Sequence, residues 1–140
     1  SMKMNKKAII KIGIIASLTI KNTKGIDILA SNSDASKSVG IQVKTTIHPR
    51  AIYPQWMLQE KAENYQSKTL FYIFVLLKEG KERPDFYIVP SKIVAEHTKK
   101  NYQEYLNKGL ARGVTLMAAG RRFHDKDKKF LERWDLLGLD

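Results

Sequence analysis

The stretch GIDILASNSDASKSVGIQVK, residues 25–44, decides how the chain folds. Its two ends, Gly25 to Ala30 and Val39 to Lys44, alternate apolar and polar side chains in period two. The eight residues between them, Ser31 to Ser38, are mostly turn formers, so the stretch is a β-hairpin. With the turn centred between Asp34 and Ala35, Ile28 opposes Ile41 and Ile26 opposes Val43. Asp27 then opposes Gln42, and Gly25 opposes Lys44. One face collects Ile26, Ile28, Ala30, Val39, Ile41 and Val43; the other carries Asp27, Gln42 and Lys44. A slip of one residue would put Asp27 and Lys44 on opposite faces, so the apolar pattern itself selects the register.

Working outward, Asn5 to Lys11 reads as a short helical piece and Ile14 to Ile20 as a first strand, with a turn over Lys21 to Gly25. On the other side, His48-Pro49 and Tyr53-Pro54 predict loop, because proline pushes its predecessor away from helix. Trp56 to Asn64 fits either a short helix or an extended segment. Leu70 to Leu77, LFYIFVLL, is an unbroken apolar run of strand length, which predicts a strand buried on both faces. A polar turn over Lys78 to Pro84 leads into a strand over Asp85 to Val89. The clearest helix is Ser91 to Leu106, with Ser91 as N-cap and a stripe of Val94, Thr98, Tyr102 and Leu106 joined by Ile93 and Tyr105. Gly109 and Gly113 interrupt that pattern, Leu110 to Asp125 is basic and poorly periodic, and Phe130 to Leu137 predicts a helical turn docking Phe130, Trp134 and Leu137. The expectation is a single α/β domain over residues 1–140, with a core motif at 25–46 and a helical, basic segment at 91–140.

A net charge of +11 and an isoelectric point near 9.8 point to a polyanion partner, nucleic acid before a membrane surface. A solvated lysine-rich surface accounts for the same balance. The distribution is uneven: six lysines and no carboxylate precede Asp27, and a second basic run spans Arg112 to Arg133. With no cysteine, neither a disulfide frame nor a thiolate metal site is possible, which fits a reducing cytoplasm. Lys3, Lys6 and Lys7 before Ala8-Ile9-Ile10 imitate the opening of a secretory leader, but Lys11 interrupts the apolar run and no cleavage site follows. No stretch is long enough to span a bilayer. A cytoplasmic protein with no membrane partner is expected.

The polar face of the hairpin carries the chemistry. A carboxylate, an amide oxygen and a lysine two residues beyond that amide suit phosphodiester hydrolysis assisted by Mg²⁺ or Mn²⁺. Such ions take hard oxygen ligands and keep several waters, so Asp27, Gln42 and the Val43 carbonyl would hold one. The ion would lower the pKa of a bound water and offset charge on the phosphate, while Lys44 would steer that water or stabilise the developing oxyanion. An ordinary solvated face with a cross-strand ion pair, worth under about 1 kcal/mol, uses the same residues.

The run NTKGIDILASNSDASKSVGIQVKTT resembles the metal-binding core of the PD-(D/E)XK, or restriction-endonuclease-like, superfamily, which sets an aspartate at the start of one central strand and (D/E)xK on the next. WMLQEKAEN, LFYIFVLL, DFYIVPSKIVAEH and FLERWDLLGL resemble a group of bacterial proteins within it, so the resemblance runs from about Ile12 onward. It implies a mixed central β-sheet flanked by helices and a DNA-binding nuclease. Asp27 would be the ligand aspartate, Gln42 would stand at the (D/E) position and Lys44 would be the catalytic lysine. Two departures matter. Gln42 removes one negative charge, and the glutamate that relatives carry on a longer N-terminal helix has no counterpart before Asp27. A start upstream of Met2 would account for the short helix and the missing acid. A catalytically impaired nucleic-acid-binding module of the same fold, or an accessory interaction protein with incidental basic charge, are the alternatives.

Glu60 or Glu63 would supply the missing carboxylate, and His48 would approach a phosphate. His97 belongs near the apolar stripe of its helix as a hydrogen-bonded, partly buried residue. Lys24, Arg112, Arg121, Arg122 and Lys126 are the candidate phosphate grips. A short N-terminal helix would leave core surface that a homodimer hides.

Overall fold

The computed structural model describes residues 27–47, 53–80, 82–111 and 120–139. The helix and strand expected over residues 5–20 lie outside them, as do Lys24, His48 and Arg112. In chain order the elements are β1 (Ile28–Ser31), β2 (Ser38–Ile47), β3 (Gln55–Leu58), a 3₁₀ turn (Glu60–Glu63), β4 (Leu70–Leu77), β5 (Asp85–Pro90), α1 (Ser91–Ala111), β6 (Arg121–His124) and a second 3₁₀ turn (Trp134–Leu137). The fold is α/β, with a mixed four-stranded sheet in the order β1-β2-β4-β5 and a separate two-stranded ribbon of β3 and β6.

The hairpin takes the register that the apolar alternation selects: Ile28 opposes Ile41, Leu29 opposes Gly40 and Ala30 opposes Val39. Its turn is built from short polar side chains. The Asn32 side-chain oxygen accepts the Lys37 N–H (2.9 Å), Asp34 accepts the Ser36 N–H (3.1 Å), and Ala35 takes a left-handed φ of 58°. β2 then pairs in parallel with β4, Gln42 beside Tyr72 and Lys44 beside Phe74, and β4 pairs antiparallel with β5.

Every residue of β4 but the last is buried, because apolar side chains on both faces of a strand require a cover on each side. On one face Ala30, Val39, Ile41, Ile73, Val75, Phe86 and Ile88 form a core closed by Leu137 and Leu139. On the other, Tyr72, Phe74, Leu76, Tyr87 and Val89 meet Trp56, Phe123 and Val94 from the ribbon and α1. Phe74 is the hub of this second core: it stacks on Phe123 at 4.5 Å and on Tyr72 at 5.4 Å, and it leans against Trp56 at 5.2 Å. The Trp56 indole donates to the Val75 carbonyl (3.0 Å), pinning the ribbon to the sheet.

Three expectations need correction. Ser91 does not cap the helix; its buried hydroxyl donates to the Ser67 carbonyl (2.9 Å) and accepts the Ser67 N–H (3.0 Å), tying α1 to the loop before β4. The helix runs through Gly109 to Ala111, since one glycine costs only about 1 kcal/mol and this one is buried. Its buried stripe is Val94, Ala95 and Thr98, whereas Ile93 and Tyr105 are exposed. β6 was not foreseen, as four residues of RRFH inside a basic run give too short a period to detect.

The C-terminal turn sits as predicted, with Leu137 buried and Trp134 5.7 Å from Phe86. Ahead of it, the Ile88 N–H donates to the Phe130 carbonyl (3.0 Å) and the Glu132 N–H to the Phe86 carbonyl (2.8 Å), so the tail covers the outer edge of β5. Buried Asp125 holds that return by accepting the Lys129 and Phe130 N–H groups at 3.0 and 2.8 Å. No helix among the described residues is long and apolar enough to cross a membrane.

Phe74→Ala should cost about 3–5 kcal/mol, because a fully buried ring leaves a cavity among three aromatic partners. Leu29→Ser, at a position 71 % exposed, should cost under about 0.5 kcal/mol. Urea denaturation of both variants checks the contrast.

Candidate functional site

Asp27 stands immediately before β1, and its N–H donates to the Ile41 carbonyl (2.9 Å) although Ile28 is the residue paired with Ile41. Two consecutive residues are therefore set against one, the count that defines a β-bulge, a device that re-aims a side chain. The straight register, which would put Asp27 opposite Gln42, stops here. Instead the Asp27 carboxylate reaches the Val43 N–H at 2.7 Å, giving a strand donor a side-chain acceptor. Asp27 and Val43 are thus brought together, through the Val43 amide.

Gln42 and Lys44 share the face of the sheet that bears Tyr72 and Phe74, and both are half-buried. This face is flanked by the aromatic core rather than open to water throughout. The Gln42 side-chain oxygen is buried and finds no hydrogen-bond partner among the described residues. Such an orphan costs about 1–3 kcal/mol, so the position favours a donor or a cation. Glu60 is exposed on the first 3₁₀ turn, while the Glu63 carboxylate is held by Arg121 at 2.6 Å. Among the described residues no group of three or more His, Asp or Glu side chains gathers where a metal ion would sit.

The other candidates meet elsewhere. Arg121, Arg122 and Lys126 line a cleft of about 470 Å³ between the second half of α1 and the ribbon of β3 and β6. Arg121 is built into its wall: the side chain is 6 % exposed, its guanidinium lies 3.3 Å from the centre of the Tyr102 ring, and Glu63 holds it from behind. Arg122 and Lys126 are exposed, with Lys126 4.5 Å over the Tyr53 ring. Tyr102, Tyr105 and Lys108 complete the helical side. By spacing alone the two tyrosines fall with the stripe of Val94 and Thr98. Their spacing with Lys108, at i, i+3 and i+6, was the available signal of a second, amphipathic line along the same helix.

Beside the cleft, the His97 Nε2 accepts from the Asn101 side chain (2.8 Å) and from the His124 N–H (3.3 Å), with the two imidazoles 4.5 Å apart. The expected hydrogen-bonded, half-buried role of His97 is the one observed. Burial first, then the neighbouring His124, lowers its pKa to about 4; Lys100 acts the same way, while Asp125 and Glu104 oppose. His124 is lowered too, by burial and by Lys126. A base depressed in the folded state takes up protons on unfolding, so this contribution to stability is complete above pH 6.5 and fades as the pH falls toward 4. Urea midpoints of the wild type should fall over that window. His97→Gln, which keeps an acceptor without titrating, should fall less steeply; parallel curves would remove the assignment.

Compared with models of known protein families, with curated proteins and with solved structures, the chain has no match, so its chemistry is argued from its own residues.

Proposed function

We propose that the protein binds nucleic acid, most simply DNA, and hydrolyses its phosphodiester bonds with the help of Mg²⁺ or Mn²⁺ at Asp27, Gln42 and Lys44, on a sheet of restriction-endonuclease-like type. The observation that carries this reading is the buried oxygen of Gln42, without a partner among the described residues, one residue from the amide that Asp27 engages and two from Lys44. The Asp27 carboxylate, the Gln42 amide oxygen and the Val43 carbonyl are hard donors, the set that small divalent ions prefer, and a cation would satisfy the orphaned oxygen. A bound ion would supply Lewis-acid activation of water and neutralise charge on the phosphate.

The chain's own residues have distinct tasks. Asp27, aimed by the bulge, brings negative charge to the end of β1. Lys44, the residue of β2 paired with Phe74 on β4, would use its ammonium to stabilise a phosphate oxygen gaining charge. The net charge of +11 raises the encounter rate with a polyanion. A second reading, binding without cleavage, is favoured by the lack of a carboxylate cluster around Asp27 among the described residues.

Purified protein with Mg²⁺ or Mn²⁺ should cut duplex, single-stranded or branched DNA. Lys44→Ala should lower the rate by about 10²–10³-fold, the scale of losing one group that stabilises transition-state charge. Chelation should abolish cutting in both, with thermal melts confirming that the variant folds. Equal rates for wild type and Lys44→Ala on all three substrates would defeat the nuclease reading. DNA retained at low salt without cutting would establish the binding module in its place.

A further inference from the structure

The cleft between α1 and the β3–β6 ribbon uses none of the residues of the hairpin site. Its lining holds four cationic side chains, Lys108, Arg121, Arg122 and Lys126, against one carboxylate, Glu104. At about 470 Å³ it falls in the size range of small-ligand sites, far short of the groove that a duplex would need. Its aromatic content is graded. The Arg121 guanidinium covers the Tyr102 ring, and Tyr102 stacks on Tyr105 at 6.2 Å and 23°; Tyr105 itself is 41 % exposed. A planar cation followed by two near-parallel rings is a short row of flat groups, and its last member is accessible. Exposed Met57 adds apolar surface on the opposite wall.

Flat rings want a flat partner, and the cations at the rim want an anion. A nucleotide has both, joined at a fixed distance. Duplex DNA offers phosphates but hides its bases in the stack, whereas an unpaired strand offers each base together with its phosphate. We propose that this cleft seats an unpaired nucleotide of a single-stranded nucleic acid, its base on Tyr105 and its phosphates on Arg122 and Lys126. The inference shares with the preceding section only the class of partner. It needs neither a metal nor Asp27, Gln42 or Lys44.

The division of labour follows from the geometry. Arg121 acts as a positioning residue, since Glu63 and the Tyr102 ring already occupy its charge and its face. Arg122, which donates to the Gln55 side-chain oxygen at 3.3 Å in an exposed setting, exchanges that contact for a phosphate at little cost. Lys126 moves from the Tyr53 ring in the same way. Stacking is indifferent to base identity, so the site should grip a strand without choosing its sequence.

The test is a fluorescence titration of a labelled oligothymidylate of about 12 nucleotides, with EDTA present throughout so that cleavage plays no part. Tyr105→Ala should weaken binding about tenfold or more without changing its salt dependence, and Tyr105→Phe, which keeps the ring, should bind as wild type. Arg122→Ala and Lys126→Ala should each flatten the slope of log affinity against log salt by about 0.7, the value for one phosphate contact on a single strand. Lys92→Ala, which removes an exposed lysine remote from the cleft lining, should have little effect, and a duplex of equal length should compete poorly. The proposal is overturned if Tyr105→Ala binds as tightly as wild type, if Lys92→Ala costs as much as Arg122→Ala, or if duplex displaces the strand as well as unlabelled oligothymidylate does. Because EDTA excludes cutting throughout, failure of the nuclease reading leaves every one of these outcomes unchanged, so the two readings fail separately.

Discussion

Everything in this fold answers to one strand. β4 is apolar on both faces and lies between a parallel and an antiparallel neighbour, so it removes its own hydrogen-bonding groups from water but leaves two apolar faces to be covered. Neither cover is local. One comes from the ribbon and the helix, through Trp56, Phe123 and Val94; the other comes from the last turn of the chain, through Leu137 and Leu139. The two ends of the described chain therefore meet on one face of β4, and Trp56 meets Phe123 from the far end of the helix on the other. Cooperativity follows, because neither layer has anything to pack on until β4 is in place.

The two candidate sites inherit this arrangement differently. Gln42 and Lys44 stand on β2, one strand from β4, so they are placed by the sheet itself and share its rigidity. The cleft stands on the outer side of the ribbon, whose inner side is locked by the Trp56 indole on the Val75 carbonyl and by the Phe74–Phe123 stack. Gln42 and Lys44 in one site, and Tyr105 and Arg122 in the other, are carried on strands and a helix rather than on loop tips, which is how geometry is kept within the tolerance that recognition needs. The ion pair of Arg121 with Glu63 joins the ribbon to the first 3₁₀ turn and so closes the cleft's floor to the same body.

Much of this was legible in the residues. The hairpin register was readable because a slip of one residue would turn the apolar side chains of one arm to the other face, and β4 because eight apolar residues in a row leave a strand no wet side. The bulge at Asp27 was not, since a bulge changes hydrogen bonding without changing composition. Ser91 illustrates a second limit: serine before an apolar-periodic run signals a cap, but here its hydroxyl has a better pair of partners in Ser67, 24 residues earlier and outside any local pattern. β6 and the cleft were missed for a third reason. Arg121 to His124 alternates for only one turn of the pattern, and the tyrosines of α1 fall at the same spacing as the stripe of Val94 and Thr98, which hides their separate face.

The bond from the Asp27 carboxylate to the Val43 amide has a consequence for how this chain changes over generations. An acid at position 27 completes the sheet whether or not any reaction takes place beside it. Selection for a folded hairpin alone would retain that acid, and a descendant without the proposed chemistry would still carry it. Lys44 carries no acceptor that could serve the sheet in this way, so it is the position at which loss of the proposed activity would first be written.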